Sequence, residues 1–299
     1  MFARRYSRPA AIAVMIFCAL LWSMAGVLTR HLDAARSFEV TFWRSAFCAV
    51  FVILALLATR GHEALTALRR PSRALLVSGL LWGAMFTSFM IALTLTSTSN
   101  TLVVSCAAPL LTALLTWMIL REPIAGATWL AIVLAVAGMA WIFSGGVQAG
   151  SARDVLGMCI AFVVPLASAI NVIVFKRSGH AVDLVPAVCL GATFSALLML
   201  PFAFPLQATL HDVQILGVLG CFQLALPCML MVVAARSLSA PQVSLLAELE
   251  VVLGPLWAWL GASEVPTLAT LQGGAVVIAA LLLNELHGVY ANRQRMQTA

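Results

Sequence analysis

The chain has 299 residues, of which 63% are hydrophobic and 9% charged, with a mean hydropathy of +1.04. A soluble helical protein needs a charged shell of about a quarter of its residues, so this composition excludes a soluble globular domain and predicts an all-α integral membrane protein. The net charge of +6 does not point to nucleic acid, because the basic residues stand at the ends of apolar runs, where they orient helices.

The opening MFARRYSRPA and the apolar run behind it imitate a secretory leader. The run from Ala10 to Thr29 nevertheless spans about 20 residues, enough to cross a bilayer and too long for a leader core, so an uncleaved first helix is expected. Apolar windows then predict spans over 38–59, 74–93, 97–119 and 126–143, followed by 155–175, 184–204, 213–235, 239–260 and 268–286. With the first terminus in the cytoplasm, that side holds Arg4, Arg5, Arg8, Arg60, Arg69, Arg70, Arg73, Arg121, Lys176, Arg177, Arg236, Arg293 and Arg295. The other side keeps Arg30, Arg36 and Arg153. This asymmetry predicts a multi-pass protein of a bacterial-type inner membrane with both termini cytoplasmic.

Sliding the second half over the first by 142 positions pairs Ser97 with Ser239, Leu111 with Leu253, Trp117 with Trp259, Glu122 with Glu264 and Thr128 with Thr270. Each half holds five spans, an odd number, so the second crosses in the opposite sense. The expectation is ten transmembrane helices in two inverted five-helix repeats, residues 1–150 and 151–299.

Polar groups inside the spans are the candidate functional residues, since each must find a partner or water. In the first span this is Trp22. In the second, Arg44 lies about 9 Å below the outer end, placed to fork onto a carboxylate, to snorkel outward, or to pair with Glu39. Glu39 itself is expected at the interface. Trp82, Asn171 and Gln223 follow in the third, sixth and eighth spans, as pathway residues or as interhelical glue. The ninth span carries Glu248 and Glu250 at about mid-depth, some 200° apart on a regular helix and therefore not in one compact site. Glu250 shares a face with Ala247, Gly254, Trp257 and Gly261, and Glu248 with Ser244 and Pro255. A carboxylate there needs a wet cavity, a cationic partner or a proton. Pro109, Pro165 and Pro227 should interrupt their helices. Trp117, Trp129, Trp141, Trp257 and Trp259 are expected in the interfacial belt. The seven cysteines show no metal-ligand spacing and are read as small core residues.

The stretches LLWSMAGVLTR (20–30), FWR (42–44), AAPLLTALLTWMILREP (107–123) and LEVVLGPLWAWLGASE (249–264), in this order and spacing, resemble the drug/metabolite transporter superfamily, in particular its EamA-type members. The resemblance covers essentially the whole chain. It implies ten helices in two inverted repeats and the export of amino acids or other small metabolites. The chain departs from the family pattern at three kinds of position. Trp-Gly of the first helix is Trp22-Ser23, Gly-Glu at the ends of the fourth and ninth helices is Arg121-Glu122 and Ser263-Glu264, and Glu-Pro of the ninth is Glu250-Val251, while Pro109 survives in the first half.

The expected function is secondary active or facilitative export by alternating access, with a small-molecule substrate, proton coupling as one option, and membrane lipids as the surroundings. Arg44 would hold a carboxylate, Glu250 an amine or a proton, and Trp22 and Trp82 would shape the pocket. A cationic-drug exporter is the alternative. A lipid-linked transferase fits less well, since no acidic metal pair, HExxH or GxSxG occurs and the five histidines lie at loops or helix ends. Without a Walker A motif, direct ATP use is not expected. The sequence thus predicts a non-enzyme with no cofactor, and sets no oligomeric state.

Overall fold

The computed structural model describes residues 6–29, 31–35, 37–61, 68–96, 98–143, 151–179, 183–262 and 267–297. Of the positions invoked above, Arg4, Arg5, Arg30, Arg36, His62, Ser97, His180, Ser263 and Glu264 lie outside the described residues. The described residues form helices joined by turns, with no strand. Among the described residues nine helices have the length and apolarity to cross a membrane: α1 (Arg8–Thr29), α2 (Phe38–Thr59), α3 (Arg73–Leu95), α4 (Asn100–Leu120), α6 (Ala152–Ser178), α7 (Val185–Ala203), α8 (Leu210–Ala234), α9 (Ala240–Gly261) and α10 (Leu268–His287). Between them, α5 (Gly126–Phe143) has 18 residues, about 27 Å, close to the hydrocarbon thickness. The ten-span expectation therefore holds.

Large side chains such as Leu54, Leu197 and Leu260 are exposed on the outside of the bundle, while alanine, glycine, serine and cysteine fill its contacts. That distribution is what a lipid solvent selects, because burying leucine gains nothing over leaving it in acyl chains and close backbone approach gains dispersion. One buried cluster joins α1, α2, α3, α6, α7, α8 and α9 through Met15, Cys48, Trp82, Val172, Cys189, Met229 and Leu246; another joins α4, α5, α9 and α10 through Ala113, Ile132, Met139, Leu245 and Val277. Two seams are closed by glycine. A Cβ at Gly191 of α7 would stand 2.8 Å from both Gly79 O and Gly83 N of α3, and one at Gly138 of α5 would stand 2.8 Å from Gly273 O of α10. Serine and threonine supply the polar glue: Ser45 Oγ of α2 and Thr87 Oγ1 of α3 both donate to Ser195 Oγ of α7, at 3.3 and 3.1 Å.

Several helices are interrupted. α1 breaks at Met24, α4 at Cys106–Ala107, α6 at Phe162 and α9 at Glu248, and α8 contains a π-helical segment over Leu219–Ala225. Three of these fall within about one turn before Pro109, Pro165 and Pro227, where the missing N–H leaves a carbonyl unclaimed and the ring crowds the preceding turn. Shifting by the same 142 positions that relate the two halves carries the Cys106 break onto the Glu248 break.

Arg121, which stands where the resembled family has glycine, ends α4 in the left-handed region at φ 55°. A side chain there is strained by about 1–2 kcal/mol, of which glycine's greater freedom in the unfolded chain gives back part. Arg121→Gly is expected to stabilise the protein by about 0.5–1 kcal/mol, read as a small rise in Tm in detergent; an unchanged or lower Tm would count against the strain.

Candidate functional site

Glu250 lies in the first turn of the half-helix Leu249–Ala262 that follows the break in α9. The two carboxyls stand within electrostatic reach of one another, and they differ in environment. Glu248 is 9% exposed, whereas Glu250 is exposed although protein surrounds it as fully as it does the core residue Cys48. A group exposed yet ringed by protein fits the lining of a cleft better than a lipid-facing surface. Gly254, one turn further along, points to the same opening: only Ser23 O comes near the position of a Cβ there, at 4.0 Å.

Arg44 shows the same combination on α2. It is half-buried, yet surrounded by protein as a core residue is, and its Nε is buried without an acceptor. Among the described residues it forms no ion pair, so the expectation of a bond to Glu39 is not met. The Cys48 and Cys228 thiols lie within electrostatic reach of it. Cys228 in turn lies against the Trp22 indole, and Gln223 Nε2 donates to Trp22 O at 3.1 Å while its Oε1 is buried with no donor. Three of the sequence candidates, Trp22, Arg44 and Gln223, are thus brought together where α1, α2 and α8 meet.

The route from this group to Glu250 runs through Ser23 and Trp257. Trp257 Nε1 donates to Ser23 Oγ at 2.9 Å, and Trp257 sits two turns beyond Glu250 on the same face, about 10 Å along the axis. This corrects the sequence reading, which placed Trp257 in the interfacial belt; its indole is turned inward because Ser23 offers the acceptor. The departure from Trp-Gly to Trp22-Ser23 has a physical consequence, since glycine would leave that indole N–H unpaired.

Trp82 and Asn171 form a separate group between α3 and α6. Both are almost fully buried. Ser78 Oγ donates to Asn171 Oδ1 at 2.7 Å, Trp82 packs on Phe86 and Phe175, and Trp82 Nε1 and Asn171 Nδ2 have no acceptor. No described hydrogen bond or ion pair joins them to Arg44 or Glu250. Glu248 and Glu250 likewise have no hydrogen-bonding or cationic partner among the described residues.

Glu39 stands in the first turn of α2, near the rim as expected, but it is fully buried and accepts from Gln207 N and Ala208 N at 2.9–3.0 Å and from Trp43 Nε1 at 3.3 Å. Asp212, which the sequence reading passed over, is equally buried and gathers the backbone of residues 33–35. A signal for it existed: Thr209-x-x-Asp212 has the capping-box pattern, and both halves of that box form.

A family model described as the EamA-like transporter family matches residues 9–144 and again residues 155–286. A crystal structure described only as that of a protein superposes with a TM-score of 0.80 at 18% identity, covering 94% of this chain and 98% of the other; at that identity the likeness concerns the fold. No curated protein matches the chain.

Proposed function

The chain belongs to the EamA-like transporter family, and on that premise we propose that it exports amino acids or closely related metabolites from the cytoplasm by alternating access. The observation that carries this reading is the pair of opposite, accessible and unpartnered charges inside the bundle, Arg44 and Glu250. An unpaired charge in a low-dielectric interior is costly, and a zwitterion offsets both costs at once. Arg44 presents a fork suited to a carboxylate, Glu250 accepts from an ammonium, and Trp22 and Trp257 wall the space between. Cations also suit tryptophan faces.

Export is what likeness to the EamA-type exporters implies, the arginine and lysine asymmetry favours cytoplasmic termini, and the two inverted repeats supply the halves that rock. Trp82 and Asn171 then act outside the binding group, stiffening the contact of α3 with α6.

A second reading, export of organic cations, is favoured by two intramembrane carboxylates, Glu248 and Glu250, that have no cationic partner among the described residues. A counterflow screen in proteoliposomes separates the two. Preloaded amino acids are expected to drive uptake of labelled amino acid with saturation, and carboxylates or amines alone are expected to compete weakly. Counterflow restricted to organic cations would replace the first reading with the second, and none with either class would remove both.

A further inference from the structure

Helices α2 and α8 enter the membrane side by side, each preceded by a loop from its own half of the chain. The third residue of α8, Asp212, accepts from the backbone of the loop that leads into α2: Asp33 N at 2.6 Å, Ala34 N at 3.1 Å and Ala35 N at 3.2 Å, besides Thr209 N at 3.0 Å. Near the start of α2, Glu39 accepts from the loop that leads into α8: Gln207 N through both oxygens at 3.0 Å and Ala208 N at 2.9 Å. Each carboxylate lies in the first turn of its own helix, where the dipole favours it, and caps the approach to the other. The exchange is reciprocal, and it joins the two halves of the protein.

Position along the helices gives these contacts a role. Arg44 lies five residues beyond Glu39 on α2, about 7.5 Å deeper, so the carboxylates stand between Arg44 and this end of the bundle. At the level of Arg44 the same two helices touch again, for a Cβ at Gly220 would lie 2.6 Å from Arg44 O. The α2–α8 seam is therefore shut from the loops down to the candidate site. The opposite end is held by side-chain pairs of another kind, Arg8 with Glu285 and Arg236 with Asp183, at 3.3 and 3.2 Å and partly exposed. Those part-buried pairs each join two side chains, whereas carboxylates shared among several amides hold until several bonds break together.

We infer that Glu39 and Asp212 are gating residues, forming a two-part latch that closes the α2–α8 seam at the end of the bundle opposite Arg8 and Arg236 and opens as one unit. The inference rests on the reading of the chain as an alternating-access transporter. A static staple would fix each loop independently. A latch couples them, so that releasing either carboxylate frees both loops.

Amide hydrogen exchange on the full-length protein in lipid nanodiscs tests this. Glu39→Gln removes the charge that holds residues 207–208. The latch predicts that amides 33–35, which Glu39 does not touch, also exchange at least about tenfold faster; the reciprocal Asp212→Asn should speed exchange at 207–208. Wild-type rates at the untouched loop in both variants would overturn the latch. Should neither variant fold, wild-type protein decides the matter: the two segments must open in one correlated step, and independent opening overturns the proposal. Coupled exchange without amino-acid counterflow would keep the latch and remove the assigned substrate, while counterflow with uncoupled exchange would do the reverse.

Discussion

Replacing Arg44 with alanine is expected to weaken amino-acid counterflow about thirtyfold or more while leaving the protein as stable as before, or more so. The two halves of this result have the same cause. Arg44 has no ion pair among the described residues, and its Nε is buried without an acceptor, so in the empty protein the guanidinium carries a desolvation cost at Nε that no protein group offsets. Truncation removes that cost. In the loaded protein the same group meets a carboxylate, and losing one partner of a desolvated, hydrogen-bonded charge pair costs about 2–5 kcal/mol, tenfold for each 1.4 kcal/mol. Stability and transport should therefore move in opposite directions, as they do where a site is held poised for a ligand. An arginine with a structural role would lose both together. Glu250→Gln supplies the complementary arm: it should weaken amino acids strongly and simple carboxylates hardly at all, because the charge it removes faces the amine. If Arg44→Ala lowers Tm by several degrees and leaves the apparent KM unchanged, Arg44 is a structural residue and the zwitterion reading falls.

The fold was legible because a lipid solvent writes it in one variable. Apolar runs of about 20 residues mark the spans. The shift of 142 positions was readable from pairs such as Trp117 with Trp259, and its reach into structure is seen in the break at Cys106 falling on that at Glu248. Individual candidates were legible too, for an intramembrane charge such as Arg44 or Glu250 stands out against its background. What could not be read was direction. Periodicity assumed a continuous α9, and the chain breaks at Glu248 with no proline to announce it; the separate faces read for Glu248 and Glu250 fit one being buried and the other exposed. Trp257 looked like a belt residue until Ser23, more than two hundred positions away, proved to be its acceptor. Glu39 and Asp212 were hidden for a different reason. Their partners are backbone amides in the opposite half of the chain, and amides carry no sequence signature. Only the Thr209 and Asp212 capping pattern marked one of them.

Two glycines should give opposite outcomes when enlarged, and together they test the packing and the cleft. At Gly191, a Cβ would meet Trp82 Cβ as well as the α3 backbone at Gly79 O and Gly83 N. None of these is the free end of a flexible side chain. The clash can be relieved only by parting α3 from α7, which also pulls on the Ser195 hydroxyl that Ser45 and Thr87 share. Gly191→Leu is expected to destabilise the protein by more than about 3 kcal/mol, at or beyond the upper end for overpacking, and so to remove folded, monodisperse protein from size-exclusion profiles. Gly254 stands beside Glu250 with nothing nearer than Ser23 O at 4.0 Å. Leucine there projects into the cleft without displacing backbone, so Gly254→Leu should fold with a Tm near that of the wild type and still abolish counterflow by occupying the space between α1 and α9. The paired readout excludes a general intolerance of bulk, because the two substitutions add the same atoms. A folded, stable Gly191→Leu would mean that α3 and α7 part without cost, and a fully active Gly254→Leu would mean that the opening beside Glu250 is not the route the substrate takes.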